Sequence, residues 1–173
     1  TLLVLKSDIS AVYELDNLLQ VFVIPTRLKV VSDKIEFDRL MPSYDFGLII
    51  NNDGSTIEIT LRNHEVLDKR TLFVFEHDAK SLKIAVKRTV YKILEAIYTP
   101  MSKCGILVGI RPVKLVHEML DEGLSIEEIS EVLQTKYLIA PDKVALMVEI
   151  AESERPHLVP VDEDAISLYL CIP

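Results

Sequence analysis

The sequence predicts an α+β fold: an N-terminal two-layer α/β unit, a small mostly antiparallel sheet with two helices, then a three-helix module and a C-terminal stub strand. Three observations carry this. Strand and helix periods alternate through the first hundred residues. From Pro112 only the helical period persists, punctuated at Ser125 and Pro141. The last seven residues, Ser167-Leu168-Tyr169-Leu170-Cys171-Ile172-Pro173, return to an apolar alternation closed by Ile-Pro. The expected divisions are 1–100 for the α+β unit, 101–158 for the helical module, and 159–173 for a linker and the stub strand.

Taken in order, Leu2 to Leu5 reads as a buried strand. Val12, Leu15, Leu18 and Leu19 then recur at helical steps from Ile9, with Asp8 as N-cap. Residues 27–31 form another candidate strand. Phe46-Gly47-Leu48-Ile49-Ile50 is a strand, and Asn52-Asp53-Gly54 is a hairpin turn tolerant of positive φ. Ile57, Ile59 and Leu61 alternate with polar partners, and a further strand covers 70–75. Residues 79–98 make a helix with Leu82, Val86, Thr89, Val90, Ile93 and Ile97 on one stripe. Lys80, Lys83, Lys87, Arg88 and Lys92 occupy its other side, and Thr99-Pro100 ends it.

The helical module is equally direct. Pro112 fits a first turn before Val113, Val116, Met119 and Leu120, and Gly123 stops that helix. Ser125-Ile126-Glu127-Glu128 is a capping box, with Ile129, Val132 and Leu133 turned inward. Pro141 opens a third helix carrying Val144, Met147, Val148 and Ala151. Residues 156–165 read as an exposed linker.

Composition narrows the function classes. With 173 residues, 49% of them apolar, the chain can bury a sizeable core. A net charge of −8 argues against wholesale binding of nucleic acid or anionic lipid, though not against a local basic patch. Two cysteines, Cys104 and Cys171, are too few for a disulfide scaffold, and both read as small core thiols. No apolar run reaches the roughly 18 residues that span a bilayer. No signal peptide is read at the start of the chain, so a cytoplasmic setting and no membrane partner are expected.

No catalytic or metal constellation stands out. His64, His77, His117 and His157 are scattered, and no Cys-x-x-Cys, dinucleotide fingerprint or P-loop occurs. His117 reads as a structural histidine. The helical module invites comparison with helix-turn-helix readers. Yet from Gly105 to Leu158 five cations (Arg111, Lys114, Lys136, Lys143, Arg155) face ten carboxylates, so nucleic-acid reading there is not expected. The basic side of 79–98 is the better electropositive surface. It suits either lysine stems lying over apolar neighbours or contact with a partner domain or an anionic ligand.

Three segments carry a family resemblance. Tyr169, Ile172 and Pro173 match the Tyr-x-x-Ile-Pro strand of oxygen-independent coproporphyrinogen III oxidases and their radical S-adenosylmethionine relatives. In that family this strand opens the barrel and leads to a Phe-Cys-x-x-x-Cys-x-x-Cys loop holding a [4Fe–4S] cluster. The block Cys104-Gly105-Ile106-Leu107-Val108-Gly109-Ile110-Arg111-Pro112-Val113-Lys114-Leu115-Val116-His117 is similar to the Gly-Ile-Leu-x-Gly-Ile-Arg-Pro-x-Lys-Leu-x-His segment of the dehydrogenase-like branch with a long N-terminal extension. Lys136-Tyr137-Leu138-Ile139 and the helix after it add a third match. Residues 1–100 match only in general pattern.

The resemblance implies an N-terminal accessory region of a coproporphyrinogen III dehydrogenase-like enzyme, cut before its cluster loop and inert by itself. The whole protein would use a [4Fe–4S] cluster and S-adenosylmethionine, with Tyr169 beside the latter, for oxidative decarboxylation in porphyrin and haem biosynthesis. Arg111 is read as an ion-pair or helix-start contact. The implied partner is the chain's own barrel, and the stub strand is expected to dock back or pair with a second copy. The alternatives are a free-standing interaction domain, binding RNA through the 79–98 face, and an unrelated hydrolase.

Overall fold

The computed structural model describes residues 1–6, 15–52, 55–63, 66–73, 79–108 and 111–158. Five strands are built from β1 (Leu2–Lys6), β2 (Leu28–Val31), β3 (Phe46–Asn52), β4 (Thr56–Arg62) and β5 (Val66–Phe73). They form one sheet in the order β2-β1-β3-β4-β5. The α+β class expected from the sequence is met. The sheet itself is mixed: β1 runs parallel to both β2 and β3, and β3-β4-β5 is an antiparallel meander. Parallel pairs need crossovers, here α1 (Leu15–Leu19) and α2 (Lys34–Leu40). Leu2, Leu3, Val4 and Leu5 are all buried, as a central strand covered on both faces requires.

Helix α2 is not legible in the apolar pattern. Ile35 is 79% exposed and Phe37 alone is buried on it. The cap forms it instead: Asp33 accepts hydrogen bonds from the Ile35 and Glu36 backbone N–H groups at 3.2 and 3.1 Å. Strand β5 begins at Val66, four residues ahead of the predicted start. Its Asp68-Lys69-Arg70 stretch hides the strand because an edge position tolerates charge. Positions 74 and 75 lie outside the described residues, as do Asp8 to Glu14, Asp53 and Gly54.

One face of the sheet carries α1 and α3 (Ala79–Glu95). Helix α3 stops three residues before the predicted end. Val86, Val90, Tyr91, Ile93 and Leu94 are buried on it, a broader stripe than the sequence suggested. The other face carries α2 over a small core of Leu3, Leu5, Val31, Phe37 and Met41.

The helical module is α4 (Pro112–Asp121), α5 (Ile126–Thr135) and α6 (Pro141–Glu154). The capping box of α5 is complete: Ser125 Oγ accepts from the Glu128 N–H, and Glu128 Oε2 from the Ser125 N–H. Gly123, at φ +86°, turns the chain between α4 and α5. Val116, Ile129, Leu133, Val144, Met147, Val148 and Ala151 bury against one another and belong to the same core cluster as β1, β3, β4 and α3. The Met101 N–H donates to the Val21 carbonyl at 2.7 Å, tying the entry of the module to the turn after α1. At the start of the expected linker, Arg155–His157 forms a short exposed 3-10 turn held by Arg155 on Asp121 at 2.9 Å, and the rest of it, from 159, lies outside the described residues. The stub strand, Tyr169 and Cys171 lie outside the described residues.

Candidate functional site

The resemblance-bearing blocks around residues 104 and 137 are more than thirty positions apart in the chain and meet in space. Gly105 has φ +56° and Leu138 φ +58°, so both backbones turn sharply where they touch. The Ile106 N–H donates to the Tyr137 carbonyl at 3.0 Å, and the Ala140 N–H to the Lys103 carbonyl at 3.0 Å. A Cβ at position 105 would collide with the Tyr137 and Leu138 carbonyl oxygens, so only glycine fits this crossing. Cys104 is half-buried in the turn before it, not a core thiol.

The crossing builds the floor of a cleft of about 330 Å³ between α3 and the start of α4. Ile106 and Tyr137 form the buried part of that floor, and Ile84, Leu107 and Leu115 complete it. Lys80, Lys83 and Lys87 line the α3 wall at steps of three and four, so they share one face. Arg111 and Lys114 line the α4 wall, with Glu118 the one carboxylate of the lining among the described residues. Lys114 Nζ lies 3.4 Å from Glu118 Oε1, which offsets part of its charge. Lys83 and Lys87 are half-buried, so this stretch of α3 is not simply a solvated outer face.

Arg111 is the N-cap residue of α4, and its side chain makes no capping hydrogen bond. Its side chain is exposed on the cleft rim, while its backbone carbonyl makes the helix-start contact, accepting from the Lys114 N–H at 3.2 Å. His117 sits elsewhere, its Nε2 3.1 Å from Glu154 Oε2, joining α4 to α6. Its Nδ1 is buried without a hydrogen-bond partner. This is the structural histidine that was expected.

Tyr137 is held above the ordinary phenol pKa, first by burial and then by Glu118 and Glu122. Its hydroxyl therefore stays protonated near neutrality. Cations continue along α3 past the cleft. Arg88 borders a depression shared with Lys136, and another shared with Arg70 and Lys92.

A second hollow, about 380 Å³, lies at the carboxyl ends of β1, β2 and β3, where Leu5, Ser32 and Asn51 line it. Strand order reverses here, the position where open α/β sheets often hold ligands. Its charges are paired across the hollow. Arg62 reaches Asp38 at 2.9 Å, Lys34 reaches the same carboxylate at 3.3 Å, and Lys69 meets Glu58 at 2.8 Å. Leu5, Ile49 and Ile50 give it an apolar part, and although Arg62 is paired through one nitrogen its Nε is buried without a hydrogen-bond partner.

The chain is 37% identical over 97 residues to the oxygen-independent coproporphyrinogen-III oxidase-like protein HemZ of Bacillus subtilis (strain 168). The chain is related to the coproporphyrinogen-III oxidase-like proteins. The family resemblance read from the sequence is thereby borne out. The match takes in 54% of this chain and 19% of that protein, so the chain spans about a fifth of its relative. No family model matches the chain, and no solved structure matches it. Among the described residues no helix is long and apolar enough to cross a membrane.

No group of three or more metal-ligating side chains occurs among the described residues. The cluster loop of the family carries three thiolates, and [4Fe–4S] clusters elsewhere take four. This chain has two cysteines, so its donor set does not fit such a cluster.

Proposed function

We propose that the chain is an N-terminal accessory region of a radical S-adenosylmethionine protein of the coproporphyrinogen-III oxidase-like kind, and that it binds rather than transforms. The similarity to HemZ carries the family part of this reading. The binding part rests on the α3–α4 cleft, where cations surround an apolar floor. Residues 1–100 and 101–158 supply one wall each.

In this reading the cluster and S-adenosylmethionine belong to the barrel of the whole protein, which is the chain's first partner. Tyr169 is its contact to S-adenosylmethionine, and the substrate is a porphyrinogen whose propionates the barrel chemistry would decarboxylate. Two measurements test it. Anaerobic treatment of this chain with iron and sulfide should give no stoichiometric [4Fe–4S] absorbance. The encoding frame should continue, within a few residues of Pro173, into a Cys-x-x-x-Cys-x-x-Cys loop. A full cluster assembled on Cys104 and Cys171, or a frame lacking the loop, overturns the proposal.

A further inference from the structure

Helix α2 is too short for the sheet beneath it. Its seven residues reach about 10 Å, whereas the seven of β3 extend about 23 Å. The helix lies over the row of Leu3, Gly47 and Arg62, where Phe37 packs on Gly47 and the Arg62 guanidinium sits 5.2 Å from the Phe37 ring. The next rows toward the carboxyl ends of β1 and β3 are Leu5-Ile49-Thr60 and then Asn51-Glu58, and these line the hollow of about 380 Å³. Two of its polar groups lack a partner. Thr60 is 7% exposed, and its hydroxyl makes no hydrogen bond among the described residues. Arg62 Nε is buried and unpaired as well. Buried polar groups of folded proteins are nearly always satisfied, so two unsatisfied neighbours on one strand point to an acceptor from outside the chain.

The lining is also polarised. At one end Lys34 and Arg62 share the single carboxylate of Asp38, at 3.3 and 2.9 Å. At the other, Glu58 meets Lys69 at 2.8 Å in a solvent-exposed pair, which leaves acceptor capacity on the carboxylate beside Asn51. We infer that this hollow binds a free α-amino acid with an aliphatic side chain. The ligand carboxylate accepts from the Thr60 hydroxyl and from the Arg62 and Lys34 end. Its ammonium donates to Glu58 and to the Asn51 side-chain carbonyl, and its side chain covers Leu5 and Ile49.

Charge and size both favour this class. A site whose charges of two signs nearly cancel suits a ligand that carries both and has no net charge, whereas a polyanion would meet Glu58 at one end. Thr60 and Glu58 stand two apart on β4, about 7 Å, a span that an ammonium and a carboxylate on one carbon bridge by hydrogen bonds at each end. The volume lies near the lower end of the range for small-molecule sites, roughly 300–1,000 Å³. The site shares no residue with the α3–α4 cleft, so its failure leaves the proposed function intact.

Amide NMR of the whole chain titrated with L-leucine tests it. The comparison ligands are 4-methylpentanoate, which lacks the ammonium, 3-methylbutylamine, which lacks the carboxylate, and inorganic phosphate. Leucine should saturate one site, move the amides of Leu5, Ile49, Asn51 and Thr60, and bind about tenfold or more tightly than each of the others. Thr60→Val keeps the shape and removes the hydroxyl. It should weaken leucine roughly three- to tenfold without lowering the thermal midpoint, since the hydroxyl has no partner in the free chain. Glu58→Gln should weaken leucine and leave 4-methylpentanoate unchanged, whereas Glu127→Gln, exposed on α5, should change neither. Absence of saturation with leucine, or an unchanged leucine affinity in Thr60→Val, overturns the inference. So does equal affinity for 4-methylpentanoate or tighter binding of phosphate, either of which would mark a plain anion site.

Discussion

The two faces of the sheet are built from the same strands and have different fates. On the α1/α3 face, Leu2, Val4, Leu48, Ile50, Ile57, Ile59 and Leu61 join a core that continues into the helical module. On the α2 face, the apolar part ends at Met41 and Ile49, and beyond it Glu58, Arg62 and Lys69 settle their charges in pairs. The difference teaches where a ligand site arises. A face that pairs most of its own charges keeps little net charge for a ligand, even where Arg62 Nε is buried without a partner. A face whose helix carries a cation row past the edge of the core, opposite a second helix, offers charge beside apolar surface.

The sharpest test of this contrast uses two glycines. Gly105→Ala places a Cβ on fixed carbonyls at a positive φ and should cost about 3 kcal/mol or more in denaturant unfolding. Gly47→Ala, on the α2 face, meets Met41 Sδ at 2.6 Å and the Phe37 ring at 2.8 Å, and the methionine can swing away. A cost of about 1–2 kcal/mol is expected there. Equal costs would break the contrast between a backbone crossing and a pliant small core.

Strand β4 permits the same comparison at neighbouring positions. Ile59→Ala, fully buried on the α3 face, should destabilise by about 2–5 kcal/mol. Thr60→Ala, on the α2 face, should cost about 1 kcal/mol in the same denaturant assay.

Two pH titrations give smaller effects. Tyr98, edge-on to Phe46, is pushed up to about 12 by burial and then by Asp45. A folded-state pKa above the unfolded value means this contribution is whole below pH 10 and declines as pH rises from there toward 12. Ultraviolet absorbance should show phenol ionisation reaching into that late range, and Tyr98→Phe should remove part of it. On the α2 face, burial raises the Asp38 carboxyl, but hydrogen bonds from Lys34 and Arg62 outweigh it and hold the group below 3.8. Its contribution is present above that value and is lost as pH falls through the lowered one. Carboxyl NMR should find it moving upward in Arg62→Gln, and no movement would mean the pair does not persist in solution.

Local signals were legible where one segment decides its own fate. Pro112, Ser125 with Glu128, and Pro141 announced α4, α5 and α6, because caps and first turns are satisfied within a few residues. Helix α2 escaped because its only fully buried side chain, Phe37, gives no periodicity. Arg111 was visible as a motif residue but not as a cleft residue, since nothing adjacent in the sequence marks the wall opposite. The basic row of α3 was legible as a face, whereas its apolar neighbour surface was not.

By itself the sequence determined the α+β class, the three-helix order and the kinship with coproporphyrinogen-III oxidase-like proteins. Those rest on periodicity, capping and motif order, all of which are read along the chain. Only the tertiary structure decided that the sheet is mixed, that residues 104–106 cross residues 137–138, and that two cation rows flank one apolar floor. Strand direction and a shared wall depend on which segments bury apolar surface against each other. That is a property of pairs distant in sequence, settled by packing rather than by local preference.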